Sequence, residues 1–249
     1  MLTAKGSAGD DAAAGIMLVE SDSIICRAPR ILESLNESDR ARILAIGQRR
    51  EFVPGASIWL QGDPHEGIYI IEKGRVRSFY TGPSGREVTL AYWFPGNFVG
   101  GPDIFGEGVH MWSSSADRPT VALYLPKRPL RKLTVESAAI AVCLLDAVAF
   151  KATCYSAMAQ MLGTRMAGER LHRLLIFLGT VYGIEDEKGV TVAASFTHGD
   201  LAALVGATRQ WVQVQIARLQ ERRIVKYRRG MLQILDMAAL RAEESGKQV

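Results

Sequence analysis

Between residues 209 and 229 the chain concentrates cationic side chains. Arg209, Arg218, Arg222, Arg223, Lys226, Arg228 and Arg229 stand there, with Glu221 as the only acid among them. Guanidinium and ammonium groups at this density suit a polyanion such as a nucleic-acid backbone, because charge-assisted hydrogen bonds to phosphate oxygens are the strong ones. A merely solvated cationic face is the plain alternative, and the surroundings separate the two. Thr197, His198, Gly199 and Asp200 read as the cap of a short helix that continues through residues 201–205 and stops at Gly206. A second helix is expected from Thr208 to about residue 222, with Val212, Ile216 and Leu219 pointing inward. Two short helices joined at a tight turn containing glycine are the mark of a helix-turn-helix. Beyond it, residues 224–227 and 231–235 flank Arg228, Arg229 and Gly230 as a β-hairpin wing. Base readout needs side chains near the start of the second helix, and phosphate contacts need cations around it. Arg209 can take two hydrogen bonds to a guanine edge, and Gln210 or Gln213 can address adenine. The candidate DNA-contacting residues are therefore Thr208, Arg209, Gln210, Gln213, Arg218, Arg228 and Arg229.

Residues 28–48 carry the pattern of one or two short helices, capped by residues 36–39. From residue 50 to about 125 the apolar period changes to two. Alternations at 57–60, 67–72, 75–80 and 88–94 are separated by Pro/Gly/Asp corners such as Pro54-Gly55, Gly82-Pro83 and Pro95-Gly96. Many short strands at that spacing imply a sandwich, barrel or roll. A strand at 122–125 and a short helix near 130–133 follow, and then a helix of roughly 28 residues from Ser137 to about Arg165. Positions 145, 148, 152, 155, 159, 162 and 166 of that helix hold Leu, Val, Ala, Tyr, Ala, Leu and Met, an alternating 3–4 spacing that reads as a coiled-coil seam. The dimer-interface candidates are Leu145, Val148, Ala152, Tyr155, Ala159 and Leu162. Ile140, Val142, Leu144, Phe150 and Met161 make the other faces apolar too, so the helix needs cover on two sides. The core helix of a monomer is the simpler alternative. An amphipathic helix at 169–182, an acidic linker at 183–189 and a strand at 190–194 complete the pass.

With 48% hydrophobic and 22% charged residues, the 249-residue chain can bury real cores, and its net charge of +4 tolerates a nucleic-acid partner without demanding one. Cys26, Cys143 and Cys154 are far apart and in no metal-ligand spacing, which implies neither a disulfide framework nor a zinc ribbon and makes a reducing cytoplasm the default. Residues 1–20 read as a disordered tail without signal-peptide character. Asp146 and Lys151 interrupt the most apolar stretch, so no membrane span is expected. No P-loop, dinucleotide fingerprint, histidine cluster or nucleophile elbow supports an enzyme, and Ser113, Ser114 and Ser115 read as composition. The fold class is α+β: an N-terminal double-stranded β-helix (jelly-roll) sensor domain at 21–136, a long coiled-coil dimerisation helix at 137–166, and a C-terminal winged helix-turn-helix at 167–245.

In this order the chain resembles the Crp/Fnr family of bacterial transcription regulators. The resemblance is carried by residues 67–77 (GIYIIEKGRVR), 85–90 (GREVTL), 94–100 (FPGNFVG) and 196–209 (FTHGDLAALVGATR), and covers roughly residues 26–241. It implies a homodimer on a palindromic double-stranded DNA site, contact with RNA polymerase, and half-sites about one turn (~34 Å) apart. The family's common Arg-Glu pair is Arg209-Gln210 here and a frequent later arginine is Val214, which implies a different operator.

The family's cyclic-nucleotide branch uses a glutamate for the ribose and an Arg-Ser pair for the cyclic phosphate. Aligned from Phe98, these positions fall on Gly101 and on Met111-Trp112, so binding of cAMP in that manner is not expected. Cys26 alone does not suit an iron–sulfur sensor, and His110 is the one candidate haem ligand in the sensor loop. No cofactor and no metal is assigned. Cys154 and Tyr155 occupy the stretch of the long helix that faces the ligand in cyclic-nucleotide members. An effector pocket of Gly101, Phe105, Met111, Trp112, Cys154 and Tyr155 for a small apolar or aromatic molecule is one reading, and a pocket filled by these side chains, with no ligand, is the other. A redox role for Cys154 would need a depressed thiol pKa, which its apolar neighbours oppose. The rival class is a small-molecule or redox sensor, or scaffold module, whose helix-turn-helix serves protein contacts.

Overall fold

The computed structural model describes residues 29–85 and 87–244. Cys26 and the 1–20 tail lie outside the described residues. Two compact units divide the described chain, one of residues 29–156 and one of residues 157–244, and the division falls inside one long helix.

The first unit begins with α1 (Ile31–Ser34) and α2 (Glu37–Ile46), the latter capped by the Asn36 side chain, which accepts from the Asp39 backbone N–H at 2.9 Å. Strands β1 (Gln48–Phe52), β2 (Ser57–Trp59), β3 (Gly67–Lys73), β4 (Val76–Thr81), β5 (Glu87–Trp93), β6 (Phe98–Val99), β7 (Ser113–Ala116) and β8 (Thr120–Pro126) follow. They form two antiparallel four-stranded sheets, ordered β1-β8-β3-β6 and β2-β7-β4-β5. This is the expected double-stranded roll. The periodicity missed three of its strands, the two-residue β6 among them. Gln48–Phe52 is nearly all polar and exposed, an edge strand recognisable only by its pairing with β8. Ser113–Ala116, read above as composition, is buried, and its hydroxyls are used: Ser78 Oγ and Ser114 Oγ are 2.9 Å apart, and Ser113 Oγ accepts from the Gln61 backbone N–H. A serine strand can be buried when every hydroxyl finds a partner.

Helices α3 (Lys127–Glu136) and α4 (Ala138–Thr164) close the unit. Ile140, Cys143, Leu144 and Ala147 of α4 join Ile31, Ile43, Ile68, Ile70, Phe98, Leu123 and Leu125 in one buried cluster. Further along, Lys151 is 4% exposed. Its Nζ donates to the Phe98 carbonyl at 2.7 Å and lies 3.9 Å and 4.1 Å from the ring centres of Trp93 and Phe98. By length and mean hydropathy (1.6) α4 is long and apolar enough to cross a membrane, although Asp146 and Lys151 interrupt its uncharged run. Ile140, Cys143, Leu144, Ala147 and Lys151 are packed against the roll, whereas Val142, Leu145 and Leu162 are exposed.

The second unit holds α5 (Ala167–Tyr182), β9 (Gly183–Asp186), β10 (Gly189–Val192), α6 (His198–Val205), α7 (Arg209–Glu221), β11 (Val225–Arg228), β12 (Met231–Ile234) and α8 (Met237–Glu244). Residues 183–189, expected to be a linker, form a strand and turn instead: β9 pairs with β10 at the end of a sheet ordered β11-β12-β10-β9. Alternation fails to mark β9 because its Glu185 and Asp186 face solvent at a sheet edge. Helix α8, also unforeseen, packs on α5 with Leu240 buried.

Gly206 caps α6 in the left-handed conformation (φ +69°), and an added Cβ there would meet nothing closer than 3.8 Å. Gly206→Ala therefore isolates backbone strain, and a loss of about 1–2 kcal/mol in urea unfolding is expected. Burial lowers the Lys151 pKa from 10.5 to about 7. Unfolded, this lysine holds more protons than the folded form across that window, so its contribution rises with pH through it and is lost as pH falls toward 7. Lys151→Met is expected to remove that rise, and urea titrations at about pH 7 and about pH 9.5 check it. An unchanged slope contradicts the assignment.

Candidate nucleic-acid interface and effector pocket

Local chemistry sets the helix-turn-helix. The Thr197 hydroxyl accepts from the Asp200 backbone N–H at 3.1 Å, and the Asp200 carboxylate accepts from the Thr197 backbone N–H at 2.7 Å, a reciprocal box that starts α6. Gly206 turns the chain, and Thr208 caps α7 by accepting from the Trp211 backbone N–H at 3.2 Å. Val212, Ile216 and Leu219 are buried. Their burial leaves Arg209, Gln210, Gln213, Val214, Ala217 and Arg218 exposed, and at 100° per residue these fall within one half-turn of the helix. Trp211 is half-buried.

The wing turns at Arg229 and Gly230, both with positive φ (51° and 83°), the two-residue hairpin connection that matches strand twist. A Cβ at Gly230 would come within 2.4 Å of Ser195 Oγ, so the turn is fitted against the residues that precede α6. Arg228 and Arg229 are exposed at its tip. Arg209, Arg218, Arg228 and Arg229 make no ion pair among the described residues, whereas Arg222, also in the basic run, is paired with Glu243 at 2.7 Å. The structure thus gathers the candidate residues Thr208, Arg209, Gln210, Gln213 and Arg218 along α7, with Arg228 and Arg229 at the wing.

Sequence reasoning missed the cleft between them. An open cleft of about 460 Å³ is lined by Thr197, His198, Gly199, Arg209, Tyr227, Arg229 and Gly230. His198 stacks on Tyr227 (4.5 Å, 30°), whose hydroxyl donates to the Phe196 carbonyl at 2.5 Å. Burial, and then the Arg209 charge, lowers the His198 pKa, keeping the ring neutral at the start of the helix. The cleft presents a helix N-terminus and two arginines together, an arrangement suited to one phosphate. The capping box was legible in sequence. The stack was not, because residues 198 and 227 meet only through the fold.

In the sensor unit, the six pocket candidates do not converge. Trp112 and Tyr155 do meet, edge to face at 5.5 Å, and the Tyr155 hydroxyl is enclosed without a partner. Cys154 is fully buried beside them, and burial pushes its thiol up to about 12, the wrong direction for a redox switch. Met111 is 65% exposed, Phe105 packs on the cluster around Ile31 and Ile140, and Gly101 sits in a positive-φ turn (φ +76°) against Asp103. His110 is covered by Trp59 on one side (4.4 Å) and His65 on the other (4.5 Å), and burial brings its pKa down to about 4. Lys151, buried one helical turn before Tyr155, was read in the sequence only as a charge that interrupts the apolar stretch.

The dimer candidates divide as well. Leu145, Ala152, Ala159 and Leu162 are exposed along α4. Val148 instead packs on the roll cluster and Tyr155 on Trp112. The exposed stripe runs through 145, 149, 152, 156, 159 and 163. Met166, the last seam position, lies past the helix and caps α5.

Two family models match the chain: the cyclic nucleotide-binding domain over residues 49–137 and the Crp-like helix-turn-helix domain over residues 169–243. Among curated relatives, the global nitrogen regulator of Synechococcus elongatus is 24% identical over 78% of this chain and 88% of its own length. The CRP-like cAMP-activated global transcriptional regulator of Mycobacterium tuberculosis is 26% identical over 79% of this chain and 87% of its own. Among solved structures, the c-di-GMP responsive global regulator CLP of Xanthomonas campestris superposes with a TM-score of 0.72 at 19% identity, covering 80% of this chain and 99% of that one. With both domains matched in order, the chain belongs to the Crp/Fnr family of transcription regulators and is not an enzyme.

Proposed function

We propose that this regulator acts in the cytoplasm as a homodimer on a palindromic DNA site. One observation carries the reading: α7 presents Arg209, Gln210, Gln213 and Arg218 on a single exposed face, beside a wing whose Arg228 and Arg229 make no ion pair among the described residues. Cations left without ion partners at a protein surface are positioned for an external anion, and glutamine and arginine near a helix start are suited to base edges. Thr208, at the cap, is placed for a backbone contact. The residues at 167–245 form the DNA-binding part.

Dimerisation through α4, within 137–166, is supported by its exposed stripe. Leu145 is 65% exposed and is followed at 149, 152, 156, 159 and 163 by small residues, which allow close approach of an identical helix. Two recognition helices related by such a seam read two inverted half-sites about one turn apart. Contact with RNA polymerase is carried over from the family resemblance. The sensor part, 21–136, is read as not using cAMP in the usual manner, since Gly101 and Met111 stand where a glutamate and an arginine are needed. An effector that acts on DNA binding does so by biasing the packing of the two α4 helices.

Replacing Arg209 by Ala is expected to cost about 1–3 kcal/mol on the preferred duplex and to relax one base preference. Arg228→Ala should weaken all duplexes alike and lower the salt slope by about 1. Fluorescence anisotropy against matched and point-substituted duplexes over a salt series checks both. Affinity indifferent to both substitutions contradicts the reading and favours a helix-turn-helix used for protein contacts.

A further inference from the structure

At the start of α3 the sensor unit has a hollow of about 310 Å³, lined by His65, Phe105, Lys127, Arg128 and Arg131. Glu66 and Glu107 also line it. The helix end that opens onto this hollow is built against its own dipole. Its cap is Pro126, which offers no side-chain acceptor, and its first turn holds no acid. Lys127 and Arg128 stand there instead, with Arg131 one turn further on. Cations at a helix N-terminus are unfavourable unless an anion joins them. Lys127 is engaged, its backbone N–H with the Glu66 carbonyl and its Nζ with the Gly106 carbonyl, both at 2.8 Å. The Arg128 and Arg131 side chains are exposed and make no hydrogen bond or ion pair among the described residues.

His65 supplies the independent observation. It is 5% exposed, lines the same hollow, and both its ring nitrogens are enclosed with no hydrogen bond to another residue among the described residues. Leaving such a group unpaired in the interior is unfavourable. The ring lies tilted against that of His110, with centres 4.5 Å apart and planes at 43°. Burial lowers its pKa, partly offset by a hydrogen bond to its own backbone, with the Lys127 charge lowering and Asp103 raising it, so the ring is neutral at neutral pH. Phe105 adds an apolar wall and leans on the cluster that contains Ile140 and Leu144 of α4.

We propose that this hollow binds a small organic phosphate. Arg128, Arg131 and the start of α3 hold the phosphate, His65 donates to it, and the organic part lies on Phe105. Guanidinium forks match the oxygens of such a dianion in pairs. Because Phe105 leans on the residues that seat α4, occupancy bears on the helix. That consequence rests on reading the chain as a dimeric regulator, whereas the binding itself does not.

Isothermal titration of the full chain with phenyl phosphate, inorganic phosphate and phthalate tests the site. Two double variants accompany it: Arg128→Ala with Arg131→Ala, and Arg209→Ala with Arg229→Ala at the cleft near the wing. Phenyl phosphate is expected to bind more tightly than the other two. Losing the first arginine pair should weaken it about tenfold or more, and losing the second should leave it unchanged. No binding up to about 1 mM, or binding indifferent to the first pair and lost with the second, overturns the proposal. Phthalate binding as tightly as phenyl phosphate overturns the phosphate assignment. Duplex binding by the same preparations reports separately on the regulator reading: its failure in the parent protein leaves the titration result standing.

Discussion

Ile140, Cys143, Leu144 and Ala147 of α4 are buried with the strands of the roll, while Val142 and Leu145 on the same helix are 55% and 65% exposed. A helix apolar on nearly all its faces must be covered on more than one side, and a single chain covers only part of this one. Lys151 strengthens the constraint. Its ammonium is taken out of water and held by the Phe98 carbonyl and the rings of Trp93 and Phe98, which fixes how the helix lies against β6. Such a clasp is costly in desolvation and is tolerable only when the geometry is fully supplied. The proposed homodimer follows from the face that remains.

The DNA-facing unit was the more legible in sequence, because its determinants are local. Thr197 with Asp200, Gly206, Thr208 and Gly230 each perform a task that their own residue type dictates, and the structure has each one doing it. What failed there was β9 and α8, elements fixed by the partners they pair with or pack on. The roll was legible in class but not in detail. The serine strand β7 and the polar strand β1 carry no apolar alternation, and only their hydrogen-bond partners reveal them.

The site residues of the sensor were the least legible. The α4 seam has two nearly equivalent registers in sequence, because Ala149, Ala152, Ser156 and Ala159 are all small. Burial then decides between them by turning Val148 and Tyr155 toward the roll. Positions carried over by alignment behaved the same way: Met111 and Trp112 are adjacent in sequence, yet one is exposed and the other faces Tyr155. His65 and Lys151, both buried polar groups, stood out only once their surroundings were known. The relatives' names point to cAMP and c-di-GMP as well as to nitrogen regulation, so a shared roll leaves the signal open, and each chain's own side chains decide it.

The central claim is that α7 and the wing read a specific inverted repeat as a pair. Selection of preferred sites from random duplex DNA by the purified full chain, at near-physiological salt and without added effector, tests it most directly. The account predicts a discrete inverted repeat with half-site centres about one helical turn apart. Recovery of unrelated sequences, bound weakly and lost alike as salt is raised, would contradict it.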